Sequence, residues 1–133
     1  IWGCPSMNEL SRNGNDVSRW NLLNPAEKPK LSHVEQCLND TRGPVIAATD
    51  YVRLYSEQIR PFVNRRYVTL GTDGFGRSDT REKLRHFFEV NRYWVTLAAL
   101  KALADDGEID RSKVAEAILK YGIDVNKPNP MSV

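Results

Sequence analysis

The fold prediction starts from Tyr67-Val68-Thr69-Leu70-Gly71-Thr72-Asp73-Gly74-Phe75-Gly76-Arg77-Ser78-Asp79. The β-branched and aromatic residues at 67–70 predict a short strand. Three glycines within residues 71–76 predict a tight loop, because glycine adopts backbone angles that other residues avoid. The polar run that follows, with apolar residues at Leu84 and Phe87, predicts a helix with one apolar face. The stretch therefore predicts a strand, a loop and a helix in succession.

The glycine loop invites comparison with phosphate-binding loops. Its spacing, G-x-x-G-x-G, differs from the dinucleotide fingerprint, and no Gly-Lys-Ser/Thr sequence follows, so neither known phosphate motif is present. Arg77, Arg81 and Arg85 could still hold an anion at the start of the helix. Alternatively, the glycines only turn the chain and the arginines pair with nearby carboxylates, those of Asp73, Asp79 and Glu82. The crowding of acidic residues at this point favours the second interpretation.

Short polar residues predict where several helices begin. Capping boxes, in which a polar residue precedes a glutamate by three positions, are predicted at Ser6 with Glu9, Ser32 with Glu35, and Asp79 with Glu82. Single N-caps are predicted at Asp50 and Asp110. Gly107 and Gly122 are predicted to end the last two helices, since glycine is the usual residue after a helix C-terminus.

Strands and helices alternate in the first part of the chain. Residues 45–49 form a short apolar run that is typical of a buried parallel strand. Residues 1–4 also predict a strand, and with residues 67–70 they make three. This alternation predicts an α/β domain with a mainly parallel sheet and right-handed crossovers.

Composition limits the kind of protein this is. The 133 residues are 41% hydrophobic and 27% charged with a net charge of +2, which is typical of one globular domain and calls for neither nucleic acid nor membrane as a partner. Two cysteines make no disulfide framework. No apolar run is long enough to span a bilayer, and the sequence shows neither the basic region nor the uninterrupted apolar region of a signal peptide. We expect a cytoplasmic protein.

The residue types that perform catalysis are sparse. His33 and His86 have no evident orienting partner, and they match no metal-ligand spacing with the two cysteines. The acidic run at residues 105–110 lacks the spacing of a calcium loop. We therefore predict no catalytic, cofactor-binding or metal-binding residue in these 133 positions.

The amino-acid sequence of the glycine loop resembles that of a known family. Residues 71–79 resemble the C-terminal domain of the homodimeric, bacterial-type pyruvate dehydrogenase E1 family, thiamine-diphosphate-dependent enzymes of the transketolase-like group. The similarity extends over nearly the whole chain, through Ile1-Trp2, Arg19-Trp20-Asn21, Ala48-Thr49-Asp50-Tyr51, Ser56-Glu57-Gln58-Ile59-Arg60, Leu84-Arg85-His86-Phe87-Phe88-Glu89-Val90, and Gly107-Glu108-Ile109-Asp110 to Asn129-Pro130.

The resemblance implies a fold and a context. The fold would be a three-layer αβα domain with a mainly parallel sheet, like the transketolase C-terminal domain, lacking its first strand and helix. Residues 1–133 would be one domain of a much longer multidomain chain, because the sequence opens at Ile1 within an apolar stretch. The parent enzyme would oxidatively decarboxylate pyruvate and transfer the acetyl group to the lipoyl group of an acetyltransferase component.

In this family other domains hold thiamine diphosphate and Mg²⁺, and the G-D-G motif with its later Asn-Asn pair does not occur here. The resemblance thus implies a structural or interaction domain that is inactive alone. Its partners would be the upstream E1 domains, the second E1 subunit and the lipoyl acetyltransferase component. The candidate contact is the loop Gly71, Thr72, Asp73, Gly74, Phe75, Gly76, Arg77, Ser78 and Asp79.

Two alternatives remain at this stage. The chain could be a stand-alone α/β module that binds an anion or a nucleotide through the arginines beside the loop. It could also belong to the E1 component of another 2-oxo acid dehydrogenase, because the residues that select the substrate would lie outside this chain.

Overall fold

The computed structural model describes all residues 1–133. In chain order the elements are α1 (Met7–Leu23), α2 (His33–Leu38), β1 (Val45–Ala48), α3 (Arg53–Glu57), a 3₁₀ turn (Arg60–Phe62), β2 (Tyr67–Leu70), α4 (Arg81–Phe87), α5 (Arg92–Asp105) and α6 (Arg111–Lys120). No helix combines the length and the apolar character that crossing a membrane requires.

The sheet has two parallel strands, with Val45 opposite Tyr67 and Ala48 opposite Leu70. This confirms the predicted α/β class with a parallel sheet. The third predicted strand is wrong: residues 1–4 form no strand, and Ile1 and Trp2 are exposed. A strand needs a hydrogen-bonded neighbour, and the backbone of these residues bonds to none.

Helices lie on both faces of this small sheet. Val45, Ala47 and Tyr67 pack into the core that α1 and α2 share with the segment around the 3₁₀ turn, a core of Met7, Val34, Ile59, Phe62, Val63 and Tyr67. Side chains alternate along a strand, so α5, which also contacts both strands, lies against the other face. α6 packs on α5. Ala102 and Ala104 of α5 and Ala117 of α6 are buried.

One edge of the sheet is bare. Val45 and Thr49 donate their backbone N–H groups to Arg66 and Leu70, so the odd-numbered residues of β1 face β2. Ile46 and Ala48 consequently direct both backbone groups away from β2, and neither residue has a hydrogen-bond partner within the chain.

Several helix ends agree with the predictions. Ser32 and Glu35 form a complete capping box, Ser6 accepts the N–H of Glu9 without the reciprocal bond, and Asp110 accepts the N–H of Ser112. The chain takes positive φ angles of 75° at Gly107 and 61° at Gly122, where α5 and α6 end.

Two predicted caps are wrong. Asp79 accepts the N–H of the next residue, Thr80, at 2.7 Å, and Thr80 caps α4 instead by accepting the N–H of Lys83. Asp50 does not cap α3: the N-cap position is Val52, which makes no side-chain bond. In both cases the aspartate carboxylate is bonded to another group, and the N-cap position is occupied by a later residue.

Candidate functional site

The glycine loop of residues 71–79 lies at the carboxyl end of the parallel sheet. The segment that follows β1 ends at the same edge, and the two are joined by hydrogen bonds. Thr72 donates its N–H to the Tyr51 carbonyl at 2.8 Å and its hydroxyl to the Asp50 carbonyl at 2.6 Å. Asp73 pairs with Arg53, with 2.8 Å between Oδ2 and Nε. The carboxyl edge is where open parallel sheets usually bind their ligands and partners.

The three glycines of the loop have different surroundings. A methyl group on Gly71 would lie 2.5 Å from the Arg53 nitrogen, and one on Gly74 would lie 2.4 Å from the Pro130 carbonyl oxygen. Gly74 also has a φ of +101°, whereas Gly76 has open space around it. The bare backbone at Gly71 and Gly74 therefore serves contacts within this chain, and only Gly76 has backbone free for another surface to approach.

Two cavities flank the loop. One of about 260 Å³ lies between Gly71 and the C-terminal tail around Pro130. There Lys127 Nζ donates to the Phe87 carbonyl at 2.8 Å and to Glu89 Oε1 at 3.0 Å. Glu89 has a φ of +63°. This lysine–glutamate contact could not be predicted from local sequence, because the two residues are 38 positions apart.

The second cavity, of about 470 Å³, lies between the glycine loop and α4 and is bordered by Arg77, Arg81 and Arg85. None of the three arginines pairs with Asp73, Asp79 or Glu82. Arg85 reaches Asp50 instead, with 2.8 Å between Nη2 and Oδ2, and the Arg77 guanidinium lies 4.3 Å from the centre of the Phe87 ring. Asp79 lies 3.7 Å from Lys83. Arg81 has no carboxylate within ion-pair distance.

The electrostatics of this cavity follow from those contacts. The hydrogen bond from Arg85 holds the pKa of Asp50 below its ordinary value, and the charges of Arg85 and Arg81 act in the same direction. Asp50 is therefore a carboxylate near neutral pH. It forms an ion pair with Arg85, whereas the other two guanidinium groups form none.

Glu57 anchors a polar cluster that sequence reasoning did not single out. Its carboxylate accepts hydrogen bonds from Arg60 and from the Thr69 hydroxyl, which together lower its pKa to about 2. Tyr67 donates its hydroxyl to the Ser56 carbonyl at 2.7 Å, and burial followed by the charge of Glu57 raises its pKa to about 12. The spacing of Glu57 and Arg60, three residues apart, was the available signal. The cluster joins α3 to β2.

The structure does not assemble the other candidate residues into a site. His33 Nε2 lies 3.4 Å from Cys37 Sγ one helical turn away, and His86 Nδ1 lies 3.4 Å from the Asn91 amide. In the acidic run, Asp105 pairs with Lys101, Asp106 pairs with Arg66, and Asp110 caps α6. Both cysteines are free thiols.

The carboxylates of this chain do not fit a Mg²⁺ site. No three side chains of the metal-ligating types converge anywhere in the structure. The carboxylates at the two cavities are already committed, since Asp50 pairs with Arg85, Asp73 with Arg53 and Glu89 with Lys127. A hard cation needs several oxygen ligands at one point, and the donor set here does not supply them.

Comparisons with known proteins agree with the geometry. A family model described as the transketolase-like TK C-terminal domain matches residues 1–91. The chain is 74% identical over all 133 residues to a pyruvate dehydrogenase E1 component of Cupriavidus necator, covering 100% of this chain and 15% of that protein. It is 63% identical over 132 residues to that of Pseudomonas aeruginosa, covering 98% of this chain and 15% of the relative.

A third relative, the pyruvate dehydrogenase E1 component of Escherichia coli, is 50% identical over 131 residues, covering 98% of this chain and 14% of the relative. The chain thus spans about 15% of the length of the curated relatives it matches. These matches favour the E1 interpretation over a stand-alone anion- or nucleotide-binding module. With the parallel sheet between helices and the family match over residues 1–91, the chain belongs to the transketolase-like C-terminal domain family.

Proposed function

We propose that this chain is a domain of a pyruvate dehydrogenase E1 component. The observation behind the proposal is the identity of 74% over an alignment that covers all 133 residues. Fold alone does not define function, because related folds perform many reactions. Sequence identity at this level to proteins that share one name indicates function more specifically than the fold does.

The parent enzyme would oxidatively decarboxylate pyruvate and pass the acetyl group to the lipoyl group of an acetyltransferase component. Thiamine diphosphate would supply the electron sink for decarboxylation, and both it and Mg²⁺ would be held by residues outside this chain. We further propose a homodimeric enzyme of the cytoplasm. The domain described here would be structural, presenting its carboxyl edge to another domain or to the second subunit.

Two features support a role in contacts. Phe75 is 80% exposed at the tip of the glycine loop. Gly76 leaves backbone open beside it. A large exposed aromatic side chain on a loop is a common element of protein–protein interfaces.

The activity is tested on the full-length protein that contains this sequence. We expect decarboxylation of pyruvate that depends on thiamine diphosphate and Mg²⁺, and acetylation of a lipoyl domain. Assays with 2-oxoglutarate and with branched 2-oxo acids serve as the comparison. Preference for one of those acids would assign the protein to a different dehydrogenase, and inactivity on every 2-oxo acid would reject the proposal.

The contact role is tested with Gly76→Val and Arg77→Ala in the same full-length protein. Gly74 is avoided because it packs against Pro130 within this chain. We expect a weaker dimer by analytical ultracentrifugation or a loss of activity in the assembled complex. If dimerisation, thermal stability and complex activity all stay at the wild-type level, the loop has no contact role.

A further inference from the structure

The loop and α4 form a surface that combines unpaired positive charge with an exposed aromatic ring. We infer that this Phe75 surface, defined as Phe75, Arg77 and Arg81, docks an acidic segment of the longer E1 polypeptide, one that presents carboxylates beside an apolar residue. The inference rests on the proposed function, and it adds the chemistry of the segment that is bound.

The 470 Å³ cavity is bordered by three arginines and only two aspartates. Of its three arginines, only Arg85 has a carboxylate partner, Asp50 at 2.8 Å. Asp79, the other acid at the cavity, is hydrogen-bonded to the Thr80 N–H and lies 3.7 Å from Lys83. Arg77 and Arg81 therefore form no ion pair with a carboxylate of this chain. A partner with negative charge complements this surface.

Arg77 is held in place by an aromatic ring. Its guanidinium lies 4.3 Å from the centre of the Phe87 ring, and Lys127 lies 5.1 Å from the same ring. Stacking on an aromatic face fixes the position of a guanidinium but uses none of its N–H donors. Arg77 is thus positioned in advance, with its donors available for the two oxygens of a carboxylate.

The exposed apolar side chains favour a polypeptide over a small anion as the group that is bound. Phe75 is 80% exposed, and two residues on the segment hydrogen-bonded to the loop are also exposed, Tyr51 by 69% and Leu54 by 74%. An inorganic phosphate would neutralise the arginines but leave these side chains in water. A polypeptide segment can pair with the arginines and also cover the exposed apolar side chains. Aromatic residues with adjacent arginines are typical of interface centres.

The lengths of the relatives indicate where the segment comes from. The chain spans about 15% of the length of its E1 relatives, so most of such a polypeptide lies outside these residues. The remaining sequence belongs to the same protein and is present at a fixed ratio. No backbone N–H from Asp73 to Ser78 has a hydrogen-bond partner within the chain, so these amides are free to be covered by that segment.

The direct test uses the full-length protein with Arg77→Lys, which places an amine where the guanidinium lies. A zero-length carbodiimide cross-linker joins such an amine to a carboxylate in contact with it, and mass spectrometry of the digest identifies both residues. We expect a cross-link from position 77 to an aspartate or glutamate outside these 133 residues. Cross-links confined to Asp50 or Asp79, cross-links to another protein, or none at position 77 would overturn the inference.

The second test measures hydrogen exchange of the peptide that covers residues 71–79 in the full-length protein. Reversing both charges with Arg77→Glu and Arg81→Glu should accelerate its exchange about tenfold, the equivalent of about 1.4 kcal/mol. The matched control reverses two exposed cations without carboxylate partners elsewhere, Arg42→Glu and Lys120→Glu, and should leave this peptide unchanged. If the double variant folds poorly, Phe75→Ser replaces it, since an 80% exposed side chain contributes little to folding.

Equal exchange in the variant and the wild-type protein would reject the docking of a segment. Protection of the peptide by added inorganic phosphate alone would also reject it and would indicate a small-anion site instead. The proposed function is judged separately by the activity of the wild-type enzyme on pyruvate. The two ideas can therefore fail independently.

Discussion

The ring of Phe62 lies directly against the backbone of Gly14: a methyl group on that glycine would be 2.4 Å from Phe62 Cε2. Gly14 is buried in the middle of α1, and Phe62 belongs to the main core. A glycine normally weakens a helix, but here the missing side chain lets α1 approach the core closely. The residue that interrupts the helical pattern of the sequence is thus required by packing.

Replacing Gly14 with alanine should therefore destabilise the protein. Alanine favours the helix by about 1 kcal/mol, but the clash with a buried ring costs about 1–3 kcal/mol, and the clash should dominate. Urea unfolding measures the difference. Asn15→Ala, at the exposed neighbouring position of the same helix, is the control and should change stability by less than about 0.5 kcal/mol. A Gly14→Ala protein more stable than the wild type would contradict the packing described here.

Two glycines of the loop, Gly74 and Gly76, provide a second pair of variants to compare. Gly74→Ala should destabilise the chain by about 1–3 kcal/mol, because φ is +101° and the Pro130 carbonyl oxygen blocks the new methyl group. Gly76→Ala meets nothing within 4 Å and should be close to neutral. Thermal unfolding of the two variants in parallel tests this, and equal loss of stability in both would show that the loop is constrained differently.

Glu57 should make stability depend on acid pH. Its folded pKa of about 2 lies below the ordinary value of 4.5, so its contribution is present above pH 4.5 and is lost as pH falls toward 2. Because the side chain is partly exposed, we expect Glu57→Gln to lose only about 1 kcal/mol at pH 7. Urea unfolding between pH 7 and pH 2.5 should show the gap to the wild type closing.

The matched control for Glu57 is Glu116→Gln, which removes an exposed carboxylate paired with Lys113 on α6. It should change stability little at any pH, because exposed ion pairs contribute little. A constant gap between Glu57→Gln and the wild type across this range would argue against the lowered pKa.

The hydroxyl of Tyr67 should lose its proton only at high pH. Burial raises its pKa to about 12 from an ordinary 10, so its contribution to stability is complete below pH 10 and is lost as pH rises toward 12. Ultraviolet absorbance of tyrosinate should show a step near pH 12 that is absent in Tyr67→Phe and retained in Tyr51→Phe. The Tyr67→Phe protein should also lose about 1 kcal/mol at pH 7, since the Ser56 carbonyl loses its donor.

The sequence predicted those features that depend on neighbours in the chain. The strands at 45–48 and 67–70, the capping box of Ser32 with Glu35 and the cap at Asp110 were predicted, because each depends on residues within a few positions. The resemblance in residues 71–79 predicted the family for a different reason, since it rests on the identity of the residues and not on their pattern.

The errors came from partners that are distant in sequence. Aspartate is a common residue at helix N-caps, but the carboxylate of Asp50 accepts a hydrogen bond from Arg85, 35 positions along the chain. Residues 1–4 have the apolar character of a strand, but pairing depends on a neighbouring strand that local sequence does not reveal. Glycine is required at positions 71 and 74 because Arg53 and Pro130, which are also distant in sequence, lie too close for a side chain.

The bare edge of β1 has a consequence for handling the domain. Its four residues, Val45 to Ala48, include no charged side chain and no proline, the residues that normally stop a strand from pairing with foreign chains. Ile46 and Ala48 therefore offer a short template to any extended peptide. We therefore expect copies of the isolated domain to associate edge to edge at high concentration.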